Sequence, residues 1–302
     1  MRIVVFDVGN ASCNYICSPN KYAMMIDCGS SSDKTNPVDI IKYWNSIESL
    51  RSKPFCTLNG KTYPLALLHI THPDNDHVRN ADRVYKELTP YLLCRTYSEK
   101  YDDSDTIDES YKKKLDLEYR GDNPESVNWG FDYECTFSIP IEIVKSDFNL
   151  KDKVRNNSSI IRYIRYKGVR FLFTGDLETP GWDWLANNNP FFSLLMKQGI
   201  DVLIAPHHGH DSGFPKALFD LTGNVRTIVL SKDTEASKEG SDVYSGYSNY
   251  ANGVVYYNTN DKRNYYGKVL TTRSNGNIYV SVDTDGNLFF ATEKASPNHK
   301  QL

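Results

Sequence analysis

The sequence lacks any apolar run close to the roughly 18 residues that a membrane-spanning helix requires. Its first residues, M-R-I-V-V-F-D, include an acid at the seventh position and do not form the apolar segment of a secretory signal peptide. The six cysteines form no C-x-x-C pair, and three of them stand in apolar, strand-like runs, which is typical of reduced, buried thiols. We therefore expect a soluble, cytoplasmic protein that has no membrane partner.

The chain also lacks a basic excess. Its formal net charge is −3 and its pI is about 6.2, so no global positive field attracts nucleic acid. A role on nucleic acid would have to depend on a local basic patch or on bound metal ions. The 302 residues are 39% hydrophobic and 24% charged, an ordinary globular composition with enough material for one large α/β domain.

The periodicity of apolar residues predicts alternating groups of strands and helices. Three short β-type runs open the chain, and residues 37–50 are predicted to be helical because proline begins the segment and apolar side chains recur every three residues. A second helix is predicted from about residue 182 to residue 197. This pattern favours one α/β domain of two packed mixed sheets flanked by helices, over residues 1–292, followed by a flexible tail at 293–302.

The pattern fades from residue 98, where an acidic stretch and K-K-K follow one another. We interpret residues 98–150 as an insertion. A solvated surface segment is favoured over a lid that faces substrate or a partner.

Six of the seven histidines fall into two clusters, each at or directly after an apolar run. Between the clusters, Asp176 ends the run F-L-F-T-G-D. Because strand ends at one edge of an α/β sheet tend to form the active site, these groups are expected to converge. His69 lies inside its strand and is interpreted as a packed core histidine rather than a ligand. The clusters are His69, His72 and His77, and then His207, His208 and His210.

The motifs H-P-D-N-D-H, T-G-D and P-H-H-G, in this order, resemble those of the metallo-β-lactamase fold, and especially the soluble hydrolase domain of ComEC-type DNA-uptake proteins. F-D-V-G-N at residues 6–10, I-D-C-G at 26–29, N-N-S-S-I-I-R-Y at 156–163 and the final T-T-R-S-N-G-N-I-Y-V are similar to further elements of that group. The resemblance covers residues 1–290 except 98–150. It implies an αβ/βα sandwich of two mixed β-sheets flanked by helices.

The same resemblance implies two divalent metal ions. His208 stays open as an alternative to His207. The implied ligands are His72 and Asp74 for the first ion, Asp76, His77 and His207 for the second, and Asp176 as the bridge.

Two departures from the usual zinc-binding pattern bear on the identity of the metal. Asp74 stands where the common motif has a histidine, and N-N-S-S contains no histidine before the T-G-D strand. Both changes replace nitrogen donors with oxygen donors, which Mn²⁺ and Mg²⁺ accept more readily than Zn²⁺ does. Mn²⁺ or Mg²⁺ is therefore favoured, and Zn²⁺ is not excluded.

Electrostatics predicts what such a site would do. Two divalent ions about 4 Å apart lower the pKa of a bridging water and hold a phosphoryl group in line with it. Asp76 is the candidate acceptor of the proton from that water. His210, or whichever of His207 and His208 is not a ligand, is the candidate group that assists the leaving oxygen, unless it only supports the ligands.

Three residues are candidates for binding substrate. Asn156 and Ser159 have the side chains to donate hydrogen bonds to a phosphate, although a turn at the entry of a strand explains them equally well. Lys232 follows the strand T-I-V-L-S and precedes a tyrosine-rich, basic region. That region could stack bases, but a half-buried sheet surface is favoured slightly.

The leading hypothesis is a metal-dependent phosphodiesterase, specifically a DNA nuclease, which could act as an effector in an antiviral defence system with a separate sensor or ATPase protein. A small-substrate metallohydrolase acting on a cyclic nucleotide, lactone or thioester is the alternative that the acidic pI favours. The third hypothesis is a metal-bound scaffold that binds a protein partner and catalyses no reaction. Whether the chain forms a homo-oligomer is left open.

Overall fold

The computed structural model describes residues 1–54, 56–58, 61–95, 127–232 and 245–302. Within these residues, no helix combines the length and the apolar character needed to cross a bilayer. The first part of the predicted insertion, residues 98–126, lies outside the described residues. Residues 127–150 add a strand and a helix to the edge of the second sheet.

The chain alternates strands with short helices. The strands are β1 (Arg2–Val5), β2 (Asn14–Cys17), β3 (Ala23–Ile26), β4 (Cys56–Leu58), β5 (Lys61–Tyr63), β6 (Leu65–His69), β7 (Pro90–Cys94), β8 (Tyr133–Phe137), β9 (Ile161–Tyr166), β10 (Val169–Phe173), β11 (Val202–Ile204), β12 (Thr227–Leu230), β13 (Val254–Asn258), β14 (Arg263–Gly267), β15 (Val269–Thr271), β16 (Ile278–Val282), β17 (Leu288–Thr292) and β18 (Lys300–Gln301). The α-helices are α1 (Pro37–Ser46), α2 (Asn75–Val78), α3 (Ala81–Arg83), α4 (Ile141–Ser146), α5 (Val154–Asn157), α6 (Thr179–Asn188), α7 (Pro190–Met196), α8 (Lys216–Thr222) and α9 (Thr272–Asn275).

Two mixed β-sheets organise the described residues. The first sheet has ten strands in the order β18-β14-β13-β17-β16-β1-β2-β3-β6-β7, and the second has six in the order β15-β12-β11-β10-β9-β8. In the first sheet, β3, β6 and β7 run parallel. In the second, β10, β11, β12 and β15 run parallel, and β8 and β9 pair antiparallel at the edge.

The sheets pack face to face, and helices pack against their outer faces. Strands such as β1 read as continuous apolar runs because both of their faces are buried. The central core between the sheets includes Ile3, Ile16, Met24, Phe171, Ile204 and Phe290. The core under α1 to α3 includes Val4, Met25, Val38, Ile41, Leu68 and Val84, and the core under α6 to α8 includes Leu172, Trp182, Leu185, Phe192, Leu203 and Leu218. The predicted αβ/βα sandwich of two mixed sheets flanked by helices is confirmed.

Helix boundaries follow local sequence chemistry. Helix α1 begins after Asn36, whose side chain accepts a hydrogen bond from the Val38 amide, and Pro37 occupies its first turn. The helix predicted from residue 182 to residue 197 is instead two helices. They meet at Asn189, whose side chain accepts from the Phe192 amide, and Pro190 begins α7. The predicted flexible tail ends in β18, which pairs with β14.

The topology gathers several loops at one edge of the sandwich. Strands β3 and β6 of the first sheet and β10, β11 and β12 of the second all end there. Backbone hydrogen bonds join the loops that follow these strands: the Ile160 amide donates to the Thr71 carbonyl at 2.9 Å, and the His207 amide donates to the Gly175 carbonyl at 3.1 Å. The H-P-D-N-D-H, T-G-D and P-H-H-G loops are therefore neighbours.

Candidate metal centre

The H-P-D-N-D-H loop follows β6 and turns directly into α2, for which Asp74 is the N-cap residue. The Cys28 amide donates to the His77 carbonyl at 2.7 Å, and the Ser12 amide donates to the Asp76 carbonyl at 3.1 Å. A Cβ atom on Gly29 would lie 2.0 Å from that Asp76 carbonyl oxygen. The glycine of I-D-C-G is therefore required for the close approach that fixes the loop.

The T-G-D loop places Asp176 against the same loop. Gly175 has φ +56°, and a Cβ atom there would lie 2.7 Å from the Cβ of Thr71. The Asp176 amide donates to Ser159 Oγ at 3.1 Å, and Ser159 is fully buried. The sequence suggested Ser159 as a substrate ligand or a turn residue, and in the structure its hydroxyl helps to position Asp176.

The P-H-H-G loop is a tight turn in an unusual conformation. His207 (φ 50°, ψ 45°) and His208 (φ 53°, ψ 21°) are consecutive non-glycine residues in the left-handed region, at a cost of about 1–2 kcal/mol each. Hydrogen bonds from the His207 amide to Gly175 and from the His210 amide to His207 hold the turn. Both rings approach Asp176, but the His208 side chain is buried whereas that of His207 is about one quarter exposed.

Four side chains from the three loops form one compact group. Their donor atoms all lie within 4.8 Å of one another. Next to this group, His72 Nε2 lies 3.6 Å from Asp74 Oδ2 and 3.8 Å from Asp176 Oδ2. The four-residue group consists of Asp76, His77, Asp176 and His208.

The tautomer of His77 fits a bound cation. His77 Nδ1 donates to Asp27 Oδ2 at 2.8 Å, so Nε2 of the neutral ring carries a lone pair. That buried Nε2 lies 3.1 Å from Asp176 Oδ1 and has no hydrogen-bond partner among the described residues. Two electron-pair donors facing each other at this distance require a cation between them, which is either a proton or a metal ion.

His208 repeats this arrangement. Its Nδ1 donates to the Ser231 carbonyl at 3.1 Å, and its Nε2 lies 3.1 Å from Asp76 Oδ2. The buried Nε2 of His72 also lacks a hydrogen-bond partner within the described part of the chain. A buried polar atom left unsatisfied costs about 1–3 kcal/mol, and coordination to an ion removes that cost. The donor set therefore fits divalent metal.

In this group the pKa values of the histidines are raised and those of the aspartates are lowered. Burial opposes the charged form of each group, but the mutual attraction of rings and carboxylates is larger. Asp176, Asp27 and Asp76 raise the pKa of His77 well above its usual value, despite its burial. His77, His208 and His72 hold the pKa of Asp176 well below its usual value. The pocket is built to hold positive charge between its carboxylates.

Asp27, which sequence reasoning did not single out, contacts the candidate metal centre through His77. Besides its bond to His77, it accepts hydrogen bonds from the Thr71 amide at 2.8 Å and from the Thr71 hydroxyl. Its backbone is left-handed, with φ 59°, and its side chain is buried. The only signal in the sequence was its place in I-D-C-G. Carboxylates that orient a metal-binding imidazole in this way fix its tautomer.

His207, the predicted ligand, borders the group but is not one of the four. Its Nε2 lies 3.9 Å from Asp176 Oδ2, and its Nδ1 lies 3.1 Å from Ser212 Oγ and 3.6 Å from Glu178 Oε1. The structure thus places the alternative, His208, beside Asp76 and His77, the residues expected to hold the second ion. His210 lies farther out, with its ring 5.2 Å from that of His207.

The remaining candidates have supporting contacts. Asn156 is nearly buried and donates to Glu178 Oε1 at 3.0 Å, so its amide holds a carboxylate at the site. Lys232 is buried, and its backbone exchanges hydrogen bonds with the Thr272 hydroxyl. His69 is the core histidine that was predicted: Arg162 Nε donates to its Nδ1 at 3.2 Å, and burial lowers its pKa to about 3.

Arg155 is a second residue that the sequence did not reveal. Its Nε lies 3.0 Å from Oδ1 of Asp74, a partly exposed carboxylate that is expected, with His72, to hold the first ion. This cation lies one residue before Asn156, in the same turn, and contacts the loop of the other sheet. It offers positive charge beside the carboxylate that replaces the usual imidazole.

No family model and no curated protein sequence matches the chain. Among solved structures, it is similar to the metallo-beta-lactamase fold protein YhfI from Bacillus subtilis, with 9% identity and a TM-score of 0.45, over 96% of this chain and 99% of that one. It is also similar to Zn²⁺-bound PqqB from Methylobacterium extorquens (11% identity, TM-score 0.35, 77% and 89% covered). Unliganded yeast PDE1 is a further match (13% identity, TM-score 0.36, 80% and 90% covered). At these values the similarities carry no functional argument.

Proposed function

We propose that the chain is a metal-dependent phosphodiesterase whose substrate is DNA. The observation that carries this proposal is the pair of imidazoles, His77 and His208, whose Nε2 atoms face the carboxylates of Asp176 and Asp76 at 3.1 Å. These side chains come from loops that are far apart in the sequence. A fold that held them together only for stability would gain little, because unpaired buried donors are costly.

The residues present would hold two ions. The second position would use Asp76, His77 and His208, the first would use His72 and Asp74, and Asp176 lies between them. The set contains three carboxylates and three imidazoles, and this oxygen content favours Mn²⁺ or Mg²⁺ while leaving Zn²⁺ acceptable. The ions would supply a lowered pKa for an attacking water and positive charge for an anionic phosphate.

The chain's own residues would complete the chemistry. Asp76 is the carboxylate best placed to take up a proton, because its side chain is about one third exposed while that of Asp176 is buried. Arg155, beside Asp74, would bind a phosphate oxygen that approaches the first position. His207 and His210 lie at the outer side of the group, where a leaving oxygen would depart.

DNA is preferred as the substrate because of the resemblance of the three motifs to the ComEC-type hydrolase domain. The net charge of −3 gives no support of its own, so binding would depend on the ions and on Arg155.

The test is cleavage of linear, circular and single-stranded DNA by the purified chain with Mn²⁺, Mg²⁺ or Zn²⁺. We expect Mn²⁺ or Mg²⁺ to support cleavage, and Asp176→Asn and His77→Ala to abolish it. Asp183→Asn is the matched control, because Asp183 is exposed on α6.

Two other results would contradict the proposal. Hydrolysis of a cyclic nucleotide, a lactone or a thioester without any DNA cleavage would identify the small-substrate alternative. Metal binding without turnover of any of these substrates would leave the scaffold role.

A further inference from the structure

A second cavity lies away from the metal centre, on the outer face of the first sheet. Its volume is about 510 Å³, within the range of pockets that bind small organic molecules. Strands β1, β2, β13, β16 and β17 and helix α1 contribute to it. None of its lining residues belongs to the metal centre, so it forms a separate site.

The cavity exists because α1 covers only part of this face. The described helices on this side pack over β1, β2, β3, β6 and β7, whereas β13 and β17 keep large apolar side chains exposed. Phe289 on β17 is 54% exposed and Tyr257 on β13 is 41% exposed, and both line the cavity. Apolar surface of this extent beside a concavity is typical of a binding site.

One side of the cavity is held rigid by aromatic packing. The Trp44 ring of α1 stacks on Phe6 at 5.9 Å between centroids and meets the edge of Tyr279 at 6.4 Å. Tyr15 contacts the same indole at 6.2 Å. Because three rings fix Trp44, the cavity is preformed and little entropy is lost when a ligand binds.

The lining contains one charged side chain, Arg2, and no acidic one. Arg2 Nη2 donates to the Leu50 carbonyl at 2.7 Å and lies 3.7 Å from the thiol of Cys17. Both partners are uncharged, and no carboxylate among the described residues forms an ion pair with this guanidinium. Ser281, its cross-strand neighbour on β16, adds a hydroxyl at the same end.

We propose that this cavity binds an apolar organic acid. The carboxylate would pair with the Arg2 guanidinium, whose fork geometry matches two carboxylate oxygens. The flat or acyl body would lie over Val4, Tyr279 and Phe289 and against Trp44. This role does not depend on the function of the metal centre.

The test is calorimetric titration of the full chain with two acids, naphthylacetate for a flat body and decanoate for an acyl chain. Naphthylacetamide, which has the same body without the charge, is the matched ligand control. We expect at least one acid to bind and the amide to bind on the order of tenfold more weakly. Arg2→Met should remove that difference between acid and amide, and Phe289→Asp should abolish the binding of both.

Phe148→Asp is the matched protein control, because Phe148 is an even more exposed phenylalanine outside the cavity. If Arg2→Met lowers the melting temperature, Ser281→Phe, which fills the charged end, replaces it and should block the acids. The proposal is overturned if neither acid binds, if the amide binds as tightly, or if Phe289→Asp behaves like Phe148→Asp. If one acid binds and the other does not, the ligand body is identified as flat or acyl.

Discussion

Asp27→Asn tests whether the buried carboxylate behind His77 sets the affinity for metal. Asp27 accepts a hydrogen bond from His77 Nδ1 at 2.8 Å and two more from Thr71. An asparagine keeps the size of the side chain and one acceptor oxygen for the Thr71 amide. It removes the negative charge that fixes the His77 tautomer and increases the basicity of Nε2.

The expected loss in Mn²⁺ affinity is about 10- to 100-fold, the usual effect of removing such a partner. This range corresponds to about 1.4–2.8 kcal/mol. It agrees with the net value of a buried hydrogen bond to a charged group, about 1.5–3 kcal/mol. Because Asp27 does not belong to the four-residue group, any such loss would act through His77.

The assay is competition for Mn²⁺ between the chain and a fluorescent chelator, with Asp183→Asn as the control. Circular dichroism of the metal-free variant shows whether the fold is kept. An affinity within about twofold of the parent protein, in a folded variant, would refute the orienting role of Asp27.

Three further predictions concern the same site. His208→Ala should weaken Mn²⁺ binding far more than His207→Ala, because only His208 belongs to the four-residue group; equal losses in the chelator assay would contradict this. The pKa of His77 is raised in the folded, metal-free protein above the value of about 6.5 that it has in the unfolded chain. Protonated His77 therefore contributes its full stabilisation below about pH 6.5, and this contribution is lost as the pH rises through the folded-state pKa. Metal binding displaces that proton, so Mn²⁺ affinity should rise with pH, and calorimetry in two buffers of different ionisation enthalpy should detect proton release; no release would be inconsistent with the assignment. Gly175→Ala should lower the free energy of unfolding by at least about 1–2 kcal/mol in urea titrations, because the alanine would be left-handed and would clash with Thr71. Gly168→Ala is the control and should cost less, because Gly168 is also left-handed but a Cβ there meets no atom within 4 Å.

The positions of the three motifs could be predicted from sequence because each follows an apolar strand, and strand ends converge at one edge of such sheets. The choice between His207 and His208 as the ligand could not be predicted from the sequence. It depends on two consecutive left-handed residues, and no property of P-H-H-G read as letters reveals the sign of φ at either position. The burial of His69 in the core was predictable, because this residue lies within a buried strand rather than after it.

The supporting residues were harder to predict for a different reason. Ser159 and Asn156 are polar residues before a strand, and the sequence could not say whether their partners would be substrate or protein. Their partners, the Asp176 amide and Glu178, lie about 20 residues further along the chain. Arg155 meets Asp74 across the interface between the sheets, a contact that depends on how the two layers are stacked.

The candidate ligands come from both layers of the sandwich: the 72–77 loop extends the first sheet, and Asp176 and His208 extend the second. An ion bound by all of them would add a cross-link between two layers that also meet through the apolar core and through polar contacts such as that of Arg155 with Asp74. At a concentration 100 times its dissociation constant, such an ion stabilises the folded chain by about 2.7 kcal/mol. Removing such an ion with a chelator would therefore loosen the contact between the layers, so the supply of divalent cations would tune the stability of the folded chain as well as the proposed activity.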